Sequence, residues 1–67
     1  MFEYTAVDRT KITINPKMIT AIKEDGETFC KIYVVNNEAP FVVRESYEKV
    51  KKQFEHFNYQ IHTVVTM

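Results

Sequence analysis

The sequence has very few of the residues that interrupt or cross-link a chain. Its 67 residues include one cysteine, one glycine, two prolines and no tryptophan. With Cys30 alone, neither an intramolecular disulfide nor a cysteine-based zinc site can form. A secreted disulfide scaffold is therefore excluded, and a reducing, cytoplasmic location is expected. Gly26 alone is also too little to build a glycine-rich phosphate loop.

Excess charge and long apolar runs are lacking too. Nine basic residues balance nine acidic ones, which is unlike the basic footprint of proteins that bind nucleic acid phosphates. No segment approaches the roughly 18 apolar residues of a membrane span, and the N-terminus has no basic-then-apolar leader. We expect no membrane insertion and one small domain over residues 1–67, with a core so thin that a partner subunit would stabilise it.

Alternation of apolar and polar residues, the pattern of half-buried strands, recurs along the first two thirds of the chain. Asn15-Pro16 should end the second strand, because proline cannot donate to a sheet ladder. Asp25-Gly26 is the clearest turn signal. The segment at 18–23 fits either a helical turn or a short strand, and we favour the strand. The other predicted strands span residues 2–7, 11–14, 28–35 and 41–44.

A helix is predicted after residue 46. Ser46 is a suitable N-cap, and four apolar residues then recur at helical spacing as far as Phe57: Tyr47, Val50, Phe54 and Phe57. Alternation returns at 59–67 and predicts a final strand. The predicted fold is α+β, an antiparallel, strongly twisted sheet of about five strands with one helix packed across it, in the order ββββαβ.

The central predicted strand is apolar on both faces, and one helix can cover only one of them. The other face should therefore be an interaction surface. Self-association is the first interpretation, while a monomeric sheet curled into a barrel and an aromatic ligand groove remain open. The predicted interface residues are Phe29, Tyr33, Val35, Phe41 and Val43.

The candidates for chemistry are sparse. His56 and His62 lie on different predicted elements, and a zinc site formed with Glu55 would lack a fourth ligand. Cys30, in the middle of a strand, is expected to be a small buried hydrophobe rather than a nucleophile. No catalytic motif is present. We therefore predict no enzymatic activity, no metal and no cofactor.

Function is predicted to reside in binding. The main hypothesis is a small regulatory or adaptor protein that forms a homo-oligomer and binds a protein partner. An alternative, from another class, is an oligomer that captures a small anionic ligand such as a nucleotide at a subunit junction. The residues predicted for that ligand are Tyr33, Arg44, Lys49 and His62. Nucleic-acid binding is a further alternative, and the chain fits either a bacterial or a phage source.

Three sequence segments carry a resemblance to a known family. They are Ile14-Asn15-Pro16 continuing to Glu24, Lys31-Ile32-Tyr33-Val34-Val35-Asn36-Asn37, and Phe41-Val42-Val43-Arg44-Glu45-Ser46 before a helix. Over residues 5 to 57 this pattern resembles the FlbD and SwrD family of flagellar and swarming-motility proteins. The family's Asn-Gly turns are replaced here, and a strand at 59–67 would be an addition. The resemblance implies a small, cytoplasmic, non-enzymatic protein linked to bacterial motility.

Overall fold

A computed structural model describes the backbone of residues 1–66 and the side chains of residues 1–58. All the strands precede the helix, so the fold is α+β as predicted, but the predicted order ββββαβ is wrong. The elements are β1 (Phe2–Thr5), β2 (Lys11–Ile14), a single 3-10 turn (Pro16–Met18), β3 (Ile19–Asp25), β4 (Phe29–Val34), β5 (Phe41–Val43) and α1 (Tyr47–Thr66).

The strands form two antiparallel sheets instead of the single sheet that we predicted. One is the β1–β2 hairpin, and the other has the order β3-β4-β5. The 3-10 turn separates β2 from β3, and Pro16 there has no amide hydrogen to continue a ladder. The two sheets meet at one isolated antiparallel bridge between Ala6, just after β1, and Val43 in β5.

Short polar turns set the strand ends. In the β1–β2 turn the Asp8 carboxylate accepts from the Thr10 amide at 3.0 Å and from the Thr10 hydroxyl, and these bonds lower the pKa of Asp8. Arg9 occupies the left-handed region there, with φ 75°. Gly26, in the predicted turn between β3 and β4, has φ 77°, a conformation that glycine adopts without steric cost.

The predicted end of the second strand is confirmed. The Asn15 side chain accepts from the Lys17 amide at 3.0 Å, and Pro16 begins the 3-10 turn that follows. This turn redirects the chain from one sheet into the other. Pro16 is itself buried, so the junction between the sheets is packed as well as hydrogen-bonded.

The core lies between the sheets and α1. The predicted stripe on α1 is confirmed, because Val50 is completely buried and Tyr47, Phe54 and Phe57 pack against the core. The helix is tied to β1 by the Phe57 and Phe2 rings, 6.0 Å apart and nearly perpendicular. Among residues 1–58, the buried apolar side chains are Phe2, Tyr4, Ile14, Ile19, Cys30, Ile32, Val43 and Val50.

The helix starts where predicted and runs further than predicted. The Ser46 hydroxyl accepts from the Lys49 amide at 3.3 Å, which confirms the N-cap. The strand predicted at 59–67 is wrong, because α1 continues to Thr66; Met67 lies outside the described residues. Both prolines and the glycine precede residue 41, so no strong helix-breaking residue follows Phe57. The apolar alternation at 59–67 was therefore a weaker indicator of structure than the lack of a helix-breaking residue.

Candidate binding surface

Strand register divides the side chains of the three-stranded sheet into two faces. Residues directly opposite each other on antiparallel strands share a face. Cys30 is opposite Val43, Ile32 is opposite Phe41, and Lys31 is opposite Val42. Cys30, Ile32 and Val43 belong to the core that packs on α1. We call the side of this sheet that carries Lys31 and Val42, turned away from α1, the outer face.

The predicted interface set is split between these two faces. Phe29 and Tyr33 lie on the outer face, two residues either side of Lys31, and are half-buried. Val43 is completely buried, so its prediction as an exposed interface residue is wrong. Phe41 shares the inner side with Ile32, although it is 37% exposed at the rim. Alternation within each strand was interpreted correctly, but the register between β4 and β5 places Phe41 and Val43 on the core side.

Val35 lies beyond the end of β4. Its amide donates to the Met18 carbonyl at 2.9 Å, which places both residues at the junction with the 3-10 turn. Both side chains are exposed. Val35 is therefore an exposed apolar residue just beyond the end of the central strand.

Two cross-strand rows of side chains make up the centre of the outer face. In one row Phe29 has Asp25 of β3 on one side and Arg44 on the other, with the Arg44 guanidinium 5.7 Å from the ring centroid. This distance is within the range of a cation–π contact. In the second row Lys31 lies between Lys23 of β3 and Val42 of β5.

The bridge between the two sheets extends these rows onto the end of β1. The Arg44 amide donates to the Thr5 carbonyl at 2.8 Å, and the Val7 amide donates to the Val42 carbonyl at 3.0 Å. This pattern places Thr5 beside Arg44 and Val7 beside Val42. Val7 is 50% exposed. The outer face therefore continues from β3 across four strands without a helix between them.

The outer face carries an excess of positive charge. Lys23 and Lys31 are directly opposite each other, and like charges in this position oppose pairing of the strands. On the three-stranded sheet, Arg44 adds a third cation beside Phe29, and Asp25 is the carboxylate that faces them. Among the side chains that the structure describes, the only ion pair within 4.0 Å joins Lys49 to Glu45, so none of these three cations is paired in that way.

The predicted ligand residues do not form one compact site. Tyr33 and Arg44 share the outer face, but Arg44 is level with Phe29, four residues from Tyr33, or about 13 Å along a strand. Lys49 lies in the first turn of α1, where its ammonium is 3.4 Å from the Glu45 carboxylate. His62 is in α1, and its side chain lies outside the described residues.

Two of the ionisable side chains, Cys30 and Tyr4, are buried in the fold. Cys30 is completely buried, which confirms the sequence interpretation, and burial raises the pKa of its thiol. Burial likewise raises the pKa of Tyr4 to about 12, and the charges of Cys30 and Glu45 raise it further. His56 is exposed on α1. Among residues 1–58, no three histidine, cysteine or acidic side chains are grouped closely enough to hold a metal ion.

Sequence reasoning missed three contributors to the outer face: Lys23, Val42 and Val7. The position of Lys23 could have been predicted from the sequence. Because Asp25-Gly26 predicts a tight turn, counting outwards from it places Lys23 opposite Lys31, as the structure shows. Val7 had no comparable signal, because its position beside Val42 depends on the bridge between the two sheets, which joins residues distant in the sequence.

The architecture defines a class of small protein in which one helix covers the inner side of two short sheets and leaves an outer sheet face open. The chain belongs to the FlbD family, the flagellar and swarming motility proteins, whose family model matches residues 1–62. The resemblance noted in the sequence is thereby confirmed, and the match extends into the segment that we had treated as an addition. Neither the curated proteins nor the solved structures include a significant match. Within the described residues, α1 and the 3-10 turn are each too short or too polar to cross a membrane.

Proposed function

We propose that this protein is a regulator or adaptor of flagellar or swarming motility that acts by binding a partner protein through its outer face. The observation that carries this proposal is the presence of two half-buried aromatic rings, Phe29 and Tyr33, on the open side of the central strand. Aromatic and arginine side chains are enriched at the centres of protein interfaces, and Arg44 stacks on Phe29. Because β4 is hydrogen-bonded on both sides, the rings are held on a rigid support.

We further propose that the protein is not an enzyme and works in the cytoplasm. The buried position of Cys30 and its raised pKa support the first point, because a nucleophilic thiol must be accessible and ionised. A single unpaired cysteine suits a reducing compartment, which supports the second. The motility role itself is supported by the family to which the chain belongs.

Complementation tests this function in the organism that encodes the protein. Deleting the gene should impair swarming or swimming, and the unaltered gene should restore it. A Tyr33→Ala variant should fail to restore motility, because it removes one ring of the outer face without opening the core. Met18→Ala is the matched control, since Met18 is exposed at the junction with the 3-10 turn. Full motility in the deletion strain, or full rescue by Tyr33→Ala, would refute the proposal.

A further inference from the structure

We propose that the outer face binds an acidic segment of its partner protein, one in which carboxylates alternate with apolar side chains. This inference rests on the proposed function and specifies the chemistry of the partner. Its basis is charge complementarity: Lys23, Lys31 and Arg44 stand among Phe29, Tyr33 and Val42, with Asp25 as the one carboxylate between them.

The Lys23–Lys31 pair is the first argument. Two ammonium groups directly opposite each other on paired strands repel, so this arrangement reduces the stability of the β3–β4 pairing. A carboxylate placed between the two lysines relieves the repulsion and gains from both charges. The pair is therefore a preformed position for one acidic group. Binding of that group restores the stability that the repulsion removes from the β3–β4 pairing.

Arg44 provides a second position for an acidic group. Stacking on Phe29 at 5.7 Å restricts the guanidinium without using its hydrogen-bond donors, and guanidinium groups bind carboxylates in a planar, two-pronged geometry. Arg44 is one strand across and two residues along from Lys31, which corresponds to roughly 8 Å between their backbone positions. Neighbouring acidic residues of an extended segment reach both positions, and apolar residues between them contact Val42 and the Phe29 ring.

Charge also argues against two other occupants of this face. A second copy docked by two-fold symmetry would bring the same three cations of each copy together, and the repulsion would weaken the contact. A long nucleic acid requires a basic track extending beyond a few residues, whereas the whole chain has no net charge. A short acidic protein segment matches both the sign and the size of this surface.

Titration with defined probes, followed by NMR of the isotope-labelled full-length protein, tests the proposal. The probe is a short glutamate-rich peptide with interspersed leucines, and the comparison probes are the same peptide with lysine for glutamate and an oligothymidylate of equal length. We expect the glutamate peptide to shift the amide signals of β3, β4 and β5, and its affinity to fall as salt is raised. The lysine peptide should leave these signals unchanged.

Lys23→Glu separates a binding role from a structural one. It should weaken binding of the glutamate peptide at least about fivefold, because a rim charge is reversed. It should also raise the midpoint of thermal unfolding by about 1 to 5 °C, because it replaces a repulsive cross-strand pair with an attractive one. Lys17→Glu is the matched control. It makes the same charge change at an exposed residue of the 3-10 turn and should leave peptide binding within about twofold, as expected for a charge away from the contact surface.

Three outcomes overturn the inference: no shift on the outer face with the glutamate peptide, tighter binding of the oligothymidylate there, or concentration-dependent shifts of that face without any probe. The last would identify a second copy as the occupant. None of these outcomes would by itself refute the proposed function. If Tyr33→Ala still failed to restore motility, the outer face would remain the functional surface, and only the chemistry assigned to the partner would be wrong.

Discussion

The hydroxyl of Tyr4 donates a 2.7 Å hydrogen bond to Oε1 of Gln53, joining the first strand to the second turn of the helix. The two residues are 49 positions apart in the sequence. Tyr4 is buried, and its ring meets that of Phe2 at 6.2 Å in a nearly perpendicular arrangement. The contact therefore closes the core on the side of the β1–β2 hairpin, and it makes the protonation state of one tyrosine part of the stability of the fold.

Raising the pH should destabilise the protein through Tyr4. Burial is the main reason that the pKa of Tyr4 rises from 10.0 to about 12, so the neutral phenol is favoured in the folded state. Its contribution is complete below pH 10 and is lost as the pH rises from 10 to 12. Denaturant unfolding measured across this range should show less pH dependence in Tyr4→Phe than in the unaltered protein.

The tyrosinate absorbance gives an independent measurement. The difference between the titration curves of the unaltered protein and Tyr4→Phe isolates Tyr4, and its midpoint should lie near pH 12. Gln53→Ala is the control: because burial is the main cause of the shift, the midpoint should stay well above 10 without the hydrogen bond. A midpoint at 10 in the folded protein would contradict this account of Tyr4.

Arg9→Gly should stabilise the protein. Arg9 adopts φ 75° in the β1–β2 turn, where a side chain with a Cβ costs about 1–2 kcal/mol relative to glycine. Part of this gain is offset by the greater freedom of glycine in the unfolded chain, so we expect a net increase of about 0.5–1 kcal/mol in the free energy of unfolding. Arg9→Ala keeps the Cβ and should produce no such gain. Equal stability of the glycine and alanine variants in chemical denaturation would argue against a strained turn.

The same turn shows what could be predicted from the sequence and what could not. Asp8-Arg9-Thr10 is a polar segment typical of a turn, and the structure adds that Arg9 is the residue in the left-handed region. Local signals of this kind were reliable. Asn15-Pro16, Asp25-Gly26 and Ser46 each act within a few residues of the chain, and each does what its chemistry predicts.

Apart from the strand wrongly predicted at 59–67, the predictions that failed concerned non-local features. The faces assigned to Phe41 and Val43 depended on the register between β4 and β5, which is set by pairing across a loop and leaves no periodic trace in the sequence. The predicted single sheet failed because only the Ala6–Val43 bridge joins β1 to β5. The outer face was accordingly predicted in part, through Phe29 and Tyr33, while the charge that defines its proposed partner emerged only from the register that places Lys23 opposite Lys31.

Ser46→Ala should weaken the start of α1. The Ser46 hydroxyl accepts from the Lys49 amide at 3.3 Å, which satisfies one of the amides that the first helical turn leaves without an internal partner. Losing such a cap typically costs about 1 kcal/mol, and we expect that decrease in the free energy of unfolding. Ser46→Asn retains an acceptor and should lose less. Should alanine prove as stable as asparagine at this position, the bond would not contribute to stability.

Cys30 should be protected from thiol reagents as long as the protein is folded. The side chain is completely buried, and burial raises its pKa, so both access and ionisation oppose reaction. With Ellman's reagent we expect labelling at least about a hundredfold slower in native buffer than in denaturant, because reaction requires opening of the core. A Val35→Cys substitution in a Cys30→Ala background provides the exposed reference thiol, which should react at nearly the same rate in both conditions. The Cys30→Ala background itself lowers the free energy of unfolding by roughly 1–2 kcal/mol. Native labelling of Cys30 as fast as that of the reference would mean that the core between β4 and α1 opens readily. It would remove the support that burial of this thiol gives to the proposal that the protein is not an enzyme.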